Sequence, residues 1–442
     1  MDNMTLSRES DVRFPITTIG SWALFDFANS ILIINGGFYF SQWIVVEQGL
    51  SETWFNFAIA ATSVVVLVTG PILGTFGDRR NMWHQFLWVA TFVMFFGTLG
   101  IVLASRVLSF QPALVLTVVL LFCVINYSYQ LSTLFYNSLL KRLSTPAAYG
   151  RVSGWGFAAG WLGAVFGLVA ILPFADGSIR IFAGQQKIDA LAPAACLYLA
   201  LSAISLYGML KLKHADAIHT ASGQSVVKHV LNDIRWLKNQ RNLLVFFGVY
   251  VLLADAVLTI QSNMPLYLQV VMGFSDREKS YLIVGFLFAA AIGATLAGWL
   301  ADRAGFRRTF TAIVAGWALM LSAMVASTSA LQFVFSFACL GFLFGSLWTL
   351  LRAIYAKLVP REKTTEFFGL YSAFERLSSV LGPILWGATM IVFDKFGSSR
   401  YRVAIGVMIG LIVIALFLIS KLQVPEGKTT EVGRELTGEE LT

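Results

Sequence analysis

Apolar and polar positions fall into long blocks along this chain. Twelve apolar stretches run at about 18–45, 54–76, 84–105, 112–140, 152–173, 192–211, 243–271, 280–301, 309–328, 332–358, 367–393 and 401–421. About 20 apolar residues in a helix cross a bilayer core of about 30 Å, so each stretch predicts one spanning helix. The punctuation of the first six stretches recurs in the second six. Tyr136 and Gly150 bracket one break, and Tyr355 and Gly369 bracket its counterpart at the same spacing. Gly74 and Asp78 close the second stretch; Gly298 and Asp302 close the eighth. A doubled six-span unit builds a pathway between its halves. The expected architecture is an all-α membrane protein of two pseudo-symmetric six-helix bundles, residues 1–211 and 242–424.

The longest polar interruption, 212–241, joins the two bundles. Val227, Val230, Leu231, Ile234 and Leu237 repeat there at helical spacing beside Lys228, Arg235 and Lys238, which predicts an amphipathic helix lying on the membrane surface. The segment 425–442 is acidic, has almost no apolar face and is expected to be a disordered tail.

Composition agrees with a membrane protein: 57% of the 442 residues are hydrophobic and 13% are charged, with mean hydropathy +0.73. Soluble domains carry about 25% charged residues. The net charge of +8 is an orientation signal rather than a nucleic-acid footprint. With both termini on one side, 22 of the 32 Lys and Arg fall on that side and eight on the other. The other two, Arg352 and Arg376, lie within spans. The positive-inside rule then makes the termini cytoplasmic. Cys123, Cys196 and Cys339 are far apart inside apolar spans, with neither metal-ligand spacing nor a disulfide framework. No cofactor, metal or nucleic-acid partner is expected. The polar start, with Arg8 and Arg13, and the length of the first stretch do not describe a cleavable signal peptide.

Two loop strings carry mechanism. One runs from Gly74 through Gly77 and Asp78 to Arg79 and Arg80. The other runs from Gly298 through Asp302 and Arg303 to Gly305, Arg307 and Arg308. Glycines let two helices approach closely, and an acid at the end of one helix can face the positive N-terminus of another. Both strings resemble the cytoplasmic loop signature of the major facilitator superfamily. That resemblance implies the major facilitator fold, and a latch of Gly74, Asp78, Arg79, Gly298, Asp302, Arg303 and Arg151 that holds one conformation and releases in the other.

A narrower resemblance lies in Gly20-Ser-Trp-Ala-Leu-Phe-Asp26-Phe-Ala-Asn29-Ser30. It continues in Phe135 to Leu140, Gly150 to Gly156, Arg352, Leu358-Val-Pro360 and Glu366 to Tyr371. These strings are similar to the autophagy-related vacuolar amino-acid effluxer family and its prokaryotic relatives. Lys141 and the Gly345-Ser-Leu-Trp348 segment depart from that pattern. The resemblance implies export of amino acids or similar solutes.

Ionisable groups inside spans are costly, about 2.5–3.5 kcal/mol each on insertion scales, and by default mark a pathway. Asp26, Asp255, Arg352, Glu375 and Arg376 are of this kind. Asp26 and Asp255 occupy equivalent first and seventh spans. Asn29 shares the face of Asp26; Thr259 and Asn263 follow Asp255 at four-residue steps. Arg352 and Glu375 flank the loop between the tenth and eleventh spans at similar distances, so Arg352 either pairs with Glu375 or meets an anionic solute group. Tyr371 lies one turn before Glu375. Asn126, Tyr129, Gln130, Thr133, Tyr136 and Asn137 form one polar helix face, which in lipid must turn inward, toward a cavity or a neighbouring helix.

These features predict a secondary active transporter of a small polar or zwitterionic solute, working as a monomer in a bacterial inner membrane, with protons as the coupling ion and Asp26, Asp255 and Glu375 as their carriers. Burial favours the neutral form of a carboxyl group and a nearby cation its charged form, so such groups can change state with conformation. Facilitated diffusion, a transport-inactive membrane sensor, and movement of lipids or other amphiphiles on the same fold are the alternatives. The chain has no nucleotide-binding string and no nucleophile or metal constellation suited to an enzyme.

Overall fold

The structure is a computed structural model that describes residues 14–40, 43, 48, 53–108, 111–182, 187–213, 237–360, 364–378 and 381–425. The acidic tail beyond residue 425 and most of the expected surface helix, 214–236, lie outside the described residues, as do the side chains of Asp78, Arg79 and Arg376.

The first bundle contains α1 (Ile16–Asn35), α2 (Thr53–Arg80), α3 (Trp83–Val107), α4 (Gln111–Ser138), α5 (Tyr149–Ala175) and α6 (Leu191–Gly208). The second contains α7 (Arg241–Val270), α8 (Asp276–Ala304), α9 (Phe306–Ala326), α10 (Ala330–Leu358), α11 (Thr364–Leu377), α12 (Leu381–Val392) and α13 (Ser399–Ile419). Among the described residues, ten helices are long and apolar enough to cross a bilayer. The second and eleventh spans make up the twelve: α2 with its apolar stretch Ala61–Gly77, and α11 followed by α12.

The eleventh span differs from the single helix expected over 367–393. It is divided, with a turn at Ser378. Pro383 supplies the physical reason. Its ring would clash with a helical turn before it and it has no N–H to donate, but it is tolerated in the first turn of a new helix such as α12. The tight seat of Gly382 also fixes the break, because a Cβ there would come within 3.0 Å of Asp255 Oδ1 and would collide with Thr259 Oγ1.

The turn between α8 and α9 requires its glycine, since Gly305 has φ +95°. The equivalent turn between α2 and α3 uses Asn81 at φ +50°. Asparagine is the side chain that best tolerates this region. Its Oδ1 also accepts a hydrogen bond of 2.7 Å from Arg142 Nη1.

Across the bundle boundary the main packing is α5 on α8 and α2 on α11. Backbones meet there without side chains between them. A Cβ on Gly154 would lie 2.5 Å from the Ala294 carbonyl oxygen, and one on Gly74 2.6 Å from that of Thr365. Gly150 and Gly298 face each other, so that a Cβ on either would run into the other's carbonyl. Beside them the Asp302 carboxylate caps the first turn of α5. It accepts from Gly150 N at 2.9 Å, from Arg151 N at 2.8 Å and from Arg151 Nε at 3.2 Å. Lys141 Nζ donates to the Val359 carbonyl at the same end, and Thr365 Oγ1 bonds Ser138 Oγ at 3.2 Å. Among the described residues no comparable packing joins α1 to α7. The contacts between the bundles among the described residues therefore gather toward the end that bears the α2–α3 and α8–α9 loops.

Asp302→Asn removes the charge from bonds worth about 0.5–2 kcal/mol as a cap and about 0.3–1 kcal/mol against the helix dipole. It should shift the clamped state toward opening by roughly tenfold. Thiol labelling of a cysteine introduced between α5 and α8 reads that shift, and unchanged labelling rates would refute the clamp.

Candidate functional site

A cavity of about 220 Å³ lies between the two bundles. The first bundle contributes Asp26 from α1, Tyr129, Thr133, Tyr136 and Asn137 from α4, and Phe157 and Trp161 from α5. The second contributes Leu258 and Gln261 from α7, Phe344, Trp348 and Arg352 from α10, and Tyr371 and Glu375 from α11.

Arg352 is the most constrained group of the site. It is 1% exposed, yet its guanidinium reaches from α10 into the opposite bundle. Nη1 donates to Asn137 Oδ1 at 3.0 Å, Nε to Ser153 Oγ at 2.9 Å and Nη2 to the Ser153 carbonyl at 2.6 Å. Aromatic rings enclose the cation: its Cζ lies 4.0 Å from the Phe157 centroid, 5.1 Å from Trp22 and 5.6 Å from Tyr136. The negative faces of such rings attract a cation without neutralising it. Trp22 stacks on Tyr136 at 4.5 Å with planes 9° apart, and its indole N–H donates to the Tyr136 carbonyl at 3.0 Å. Ser153 Oγ in turn donates to the Thr349 carbonyl at 2.9 Å, so the bonds run back to α10.

The expected alternatives for Arg352 separate here. It forms no ion pair with Glu375, although both line one cavity. Asn137 and Ser153 draw the guanidinium to the first bundle instead. Asp26 is half-buried and faces the same cavity. Its Oδ2 occupies the space left by Gly160, where a Cβ would come within 2.7 Å. Tyr371 is buried against Tyr250 and Tyr355, at 4.7 and 5.0 Å between centroids.

The polar face of α4 divides between its two expected roles. Tyr129, Thr133, Tyr136 and Asn137 line the cavity. Asn126 instead donates to Thr62 Oγ1 of α2 at 2.6 Å, and Gln130 reaches the same oxygen at 3.4 Å. The seventh-span group sits apart from the cavity. Asp255 and Thr259 are buried, and the Asp255 carboxylate lies against Gly382 of α12. Asn263 donates to the Thr259 carbonyl at 2.8 Å and lines a separate recess with Trp386 and Arg400. Asn29 is buried with its Oδ1 unpaired and does not line the cavity. Of the latch residues, Arg151, Gly298 and Asp302 meet beside Gly150 as described and Gly74 packs on Thr365, while Arg303 lies over the Trp299 ring of its own helix at 4.0 Å.

Trp22, Phe157, Trp161, Phe344 and Gln261 also belong to the cavity or its cation cage, although the charge and polarity patterns did not single them out. Trp22 stands in the first-span string, four residues before Asp26. Aromatic residues in a membrane span look the same in sequence whether they face lipid or a cation. Among the described residues, no group of three or more His, Cys, Asp or Glu is arranged to hold a metal ion.

The description "Major Facilitator Superfamily" belongs to the family model that matches residues 229–440. The uncharacterized MFS-type transporter YxiO of Bacillus subtilis is 24% identical over 435 residues, covering 94% of this chain and 96% of its own. Autophagy-related protein 22 of Yarrowia lipolytica is 25% identical over 210 residues, which are 44% of this chain and 34% of that longer protein. Among solved structures, a bacterial homologue of the iron transporter ferroportin in an outward-facing state superposes with TM-score 0.70 at 11% identity, covering 92% of this chain and 98% of its own. The proton:xylose symporter XylE gives 0.67 at 15% identity, covering 93% and 97%. At such identities the two structures speak for the fold alone. Family model over the second half, full-length relative and shared fold agree: the chain is similar to the transporters of the major facilitator superfamily.

Proposed function

We propose that the protein is a secondary active transporter that exports a small zwitterionic, amino-acid-like solute by alternating access, in exchange for protons. One observation carries this reading. The Arg352 cation faces the cavity without an ion-pair partner, while the carboxyl groups of Asp26 and Glu375 line the same cavity. A buried charge without a counter-charge is costly, and an anionic solute group would offset that cost. Three of the five guanidinium N–H donors are engaged by Asn137 and Ser153 and the Tyr136 hydroxyl adjoins the group, so a carboxylate would meet what remains of the fork. Asp26 and Glu375 then face the ammonium group. The resemblance of the first-span and eleventh-span strings to amino-acid effluxers points the same way.

The bonds from Arg352 to Asn137 and Ser153 cross between bundles on the clamped side of the site. An anion that competes for the guanidinium would loosen them, so occupancy biases the equilibrium between the two faces. Glu375 is the preferred proton carrier because it stands on α11, which packs on α2 across the bundle boundary. The clamped end faces the cytoplasm by the distribution of Lys and Arg, in the inner membrane of a bacterium. The cavity is complete within one chain, so the working unit is a monomer.

Three outcomes test this. A panel of amino acids should raise the thermal midpoint of the purified protein, as any ligand that prefers the folded state must. Arg352→Gln should raise the half-saturating concentration by roughly 10–100-fold, the equivalent of about 1.5–3 kcal/mol for hydrogen bonds to a charge. Arg352→Lys should recover only part of the loss, because an ammonium cannot present the same fork. In proteoliposomes with an imposed pH gradient, wild-type flux should follow the gradient and Glu375→Gln should not. If Glu375→Gln kept the wild-type rate and pH profile, its coupling role would be wrong.

A further inference from the structure

The charged cavity does not end at its charged residues. Gln261 and Phe344 line it, and the same two residues line a second cavity of about 220 Å³. This annex lies among α7, α8, α9 and α10, with Ile34 of α1 at its edge. Among the described residues its wall is mainly apolar and carries no charged residue. Ile260, Leu287 and Leu340 are typical of it, and all three are buried. The indole N–H of Trp317, on the same wall, is buried without an acceptor.

An empty apolar cavity forfeits packing along its whole wall, and apolar walls hold water poorly. The annex therefore favours an apolar occupant. Size favours one that extends into both spaces. Small-molecule pockets occupy roughly 300–1,000 Å³, a range that neither cavity reaches alone and that the two joined do reach. The annex by itself has the volume of about seven water molecules at about 30 Å³ each, enough for a chain of several carbon atoms.

We propose that the transported solute is an amphiphile. Its ionised head sits with Arg352, Asp26 and Glu375, and its apolar tail lies in the annex behind Gln261 and Phe344. The tail is longer than a small polar solute would carry, and an oxygen along it would find the unpaired donor of Trp317. This rests on the zwitterion reading for the head and adds the tail site to it.

The test uses the full-length protein in lipid nanodiscs and straight-chain 2-aminoalkanoic acids of two to ten carbon atoms. Dissociation constants are referred to free aqueous concentration, with empty nanodiscs as the blank. The constant should fall about fourfold for each methylene that enters the annex, and then level off when the annex is full. Leu340→Trp fills the annex and should flatten that dependence. Ile260→Phe is a smaller intrusion and serves as the second variant should Leu340→Trp not fold.

Short acids that bind in an Arg352-dependent way, with no gain along the series, would overturn the tail site and leave the head reading intact. Full chain-length dependence in a folded annex-filled variant would do the same, and would mean that the tails lie elsewhere. If no member of the series binds, the head reading fails and the amphiphile with it.

Discussion

A cation inside a membrane protein can be stabilised only by what the protein places around it. Arg352 meets that constraint without a carboxylate in direct ion-pair contact. Three aromatic rings surround it, and Asn137 and Ser153 take its hydrogen bonds. All of these partners belong to the opposite bundle. The residue that gives the cavity its positive charge is thus also a tie between the two bundles.

The clamp beside the loops follows the same economy at the membrane surface. Asp302 satisfies backbone donors at the start of α5 that no helix can satisfy internally. Glycines at Gly150, Gly154 and Gly298 bring α5 and α8 close enough for a short carboxylate to reach. The clamp needs both features. Without the close approach the acid would face water, and without the acid the helix start would lose a cap in the closed state.

The coarse architecture was legible in the sequence because hydrophobic length and repeated punctuation depend only on local residue type. The twelve spans, the duplicated loops and the acid at Asp302 facing a helix start fall in this class. The division of the eleventh span was less legible. Its apolar run continues through Gly382 and Pro383, and the break depends on how Gly382 meets Thr259 and Asp255 from another helix. The site was legible only in part. Asp26, Arg352, Tyr371 and Glu375 announce themselves as polar groups in apolar surroundings, and they do converge. Asp255 announces itself in the same way, yet it lies behind the cavity wall, because depth along a helix does not fix which side of it faces the pathway. Of the cage around Arg352 only Tyr136 stood out, on the polar face of α4; that its ring joins those of Trp22 and Phe157 was hidden, since the three come from helices far apart in the chain.

The divided eleventh span changes how force travels through the protein. Its first segment carries Tyr371 and Glu375 and rests on α2 of the other bundle. Its second segment is keyed through Gly382 to α7 of its own bundle. A rigid rod would oblige both ends to swing together. Split in this way, the span has two separate seats: the segment that lines the cavity leans on the neighbouring bundle, and the other is keyed to its own.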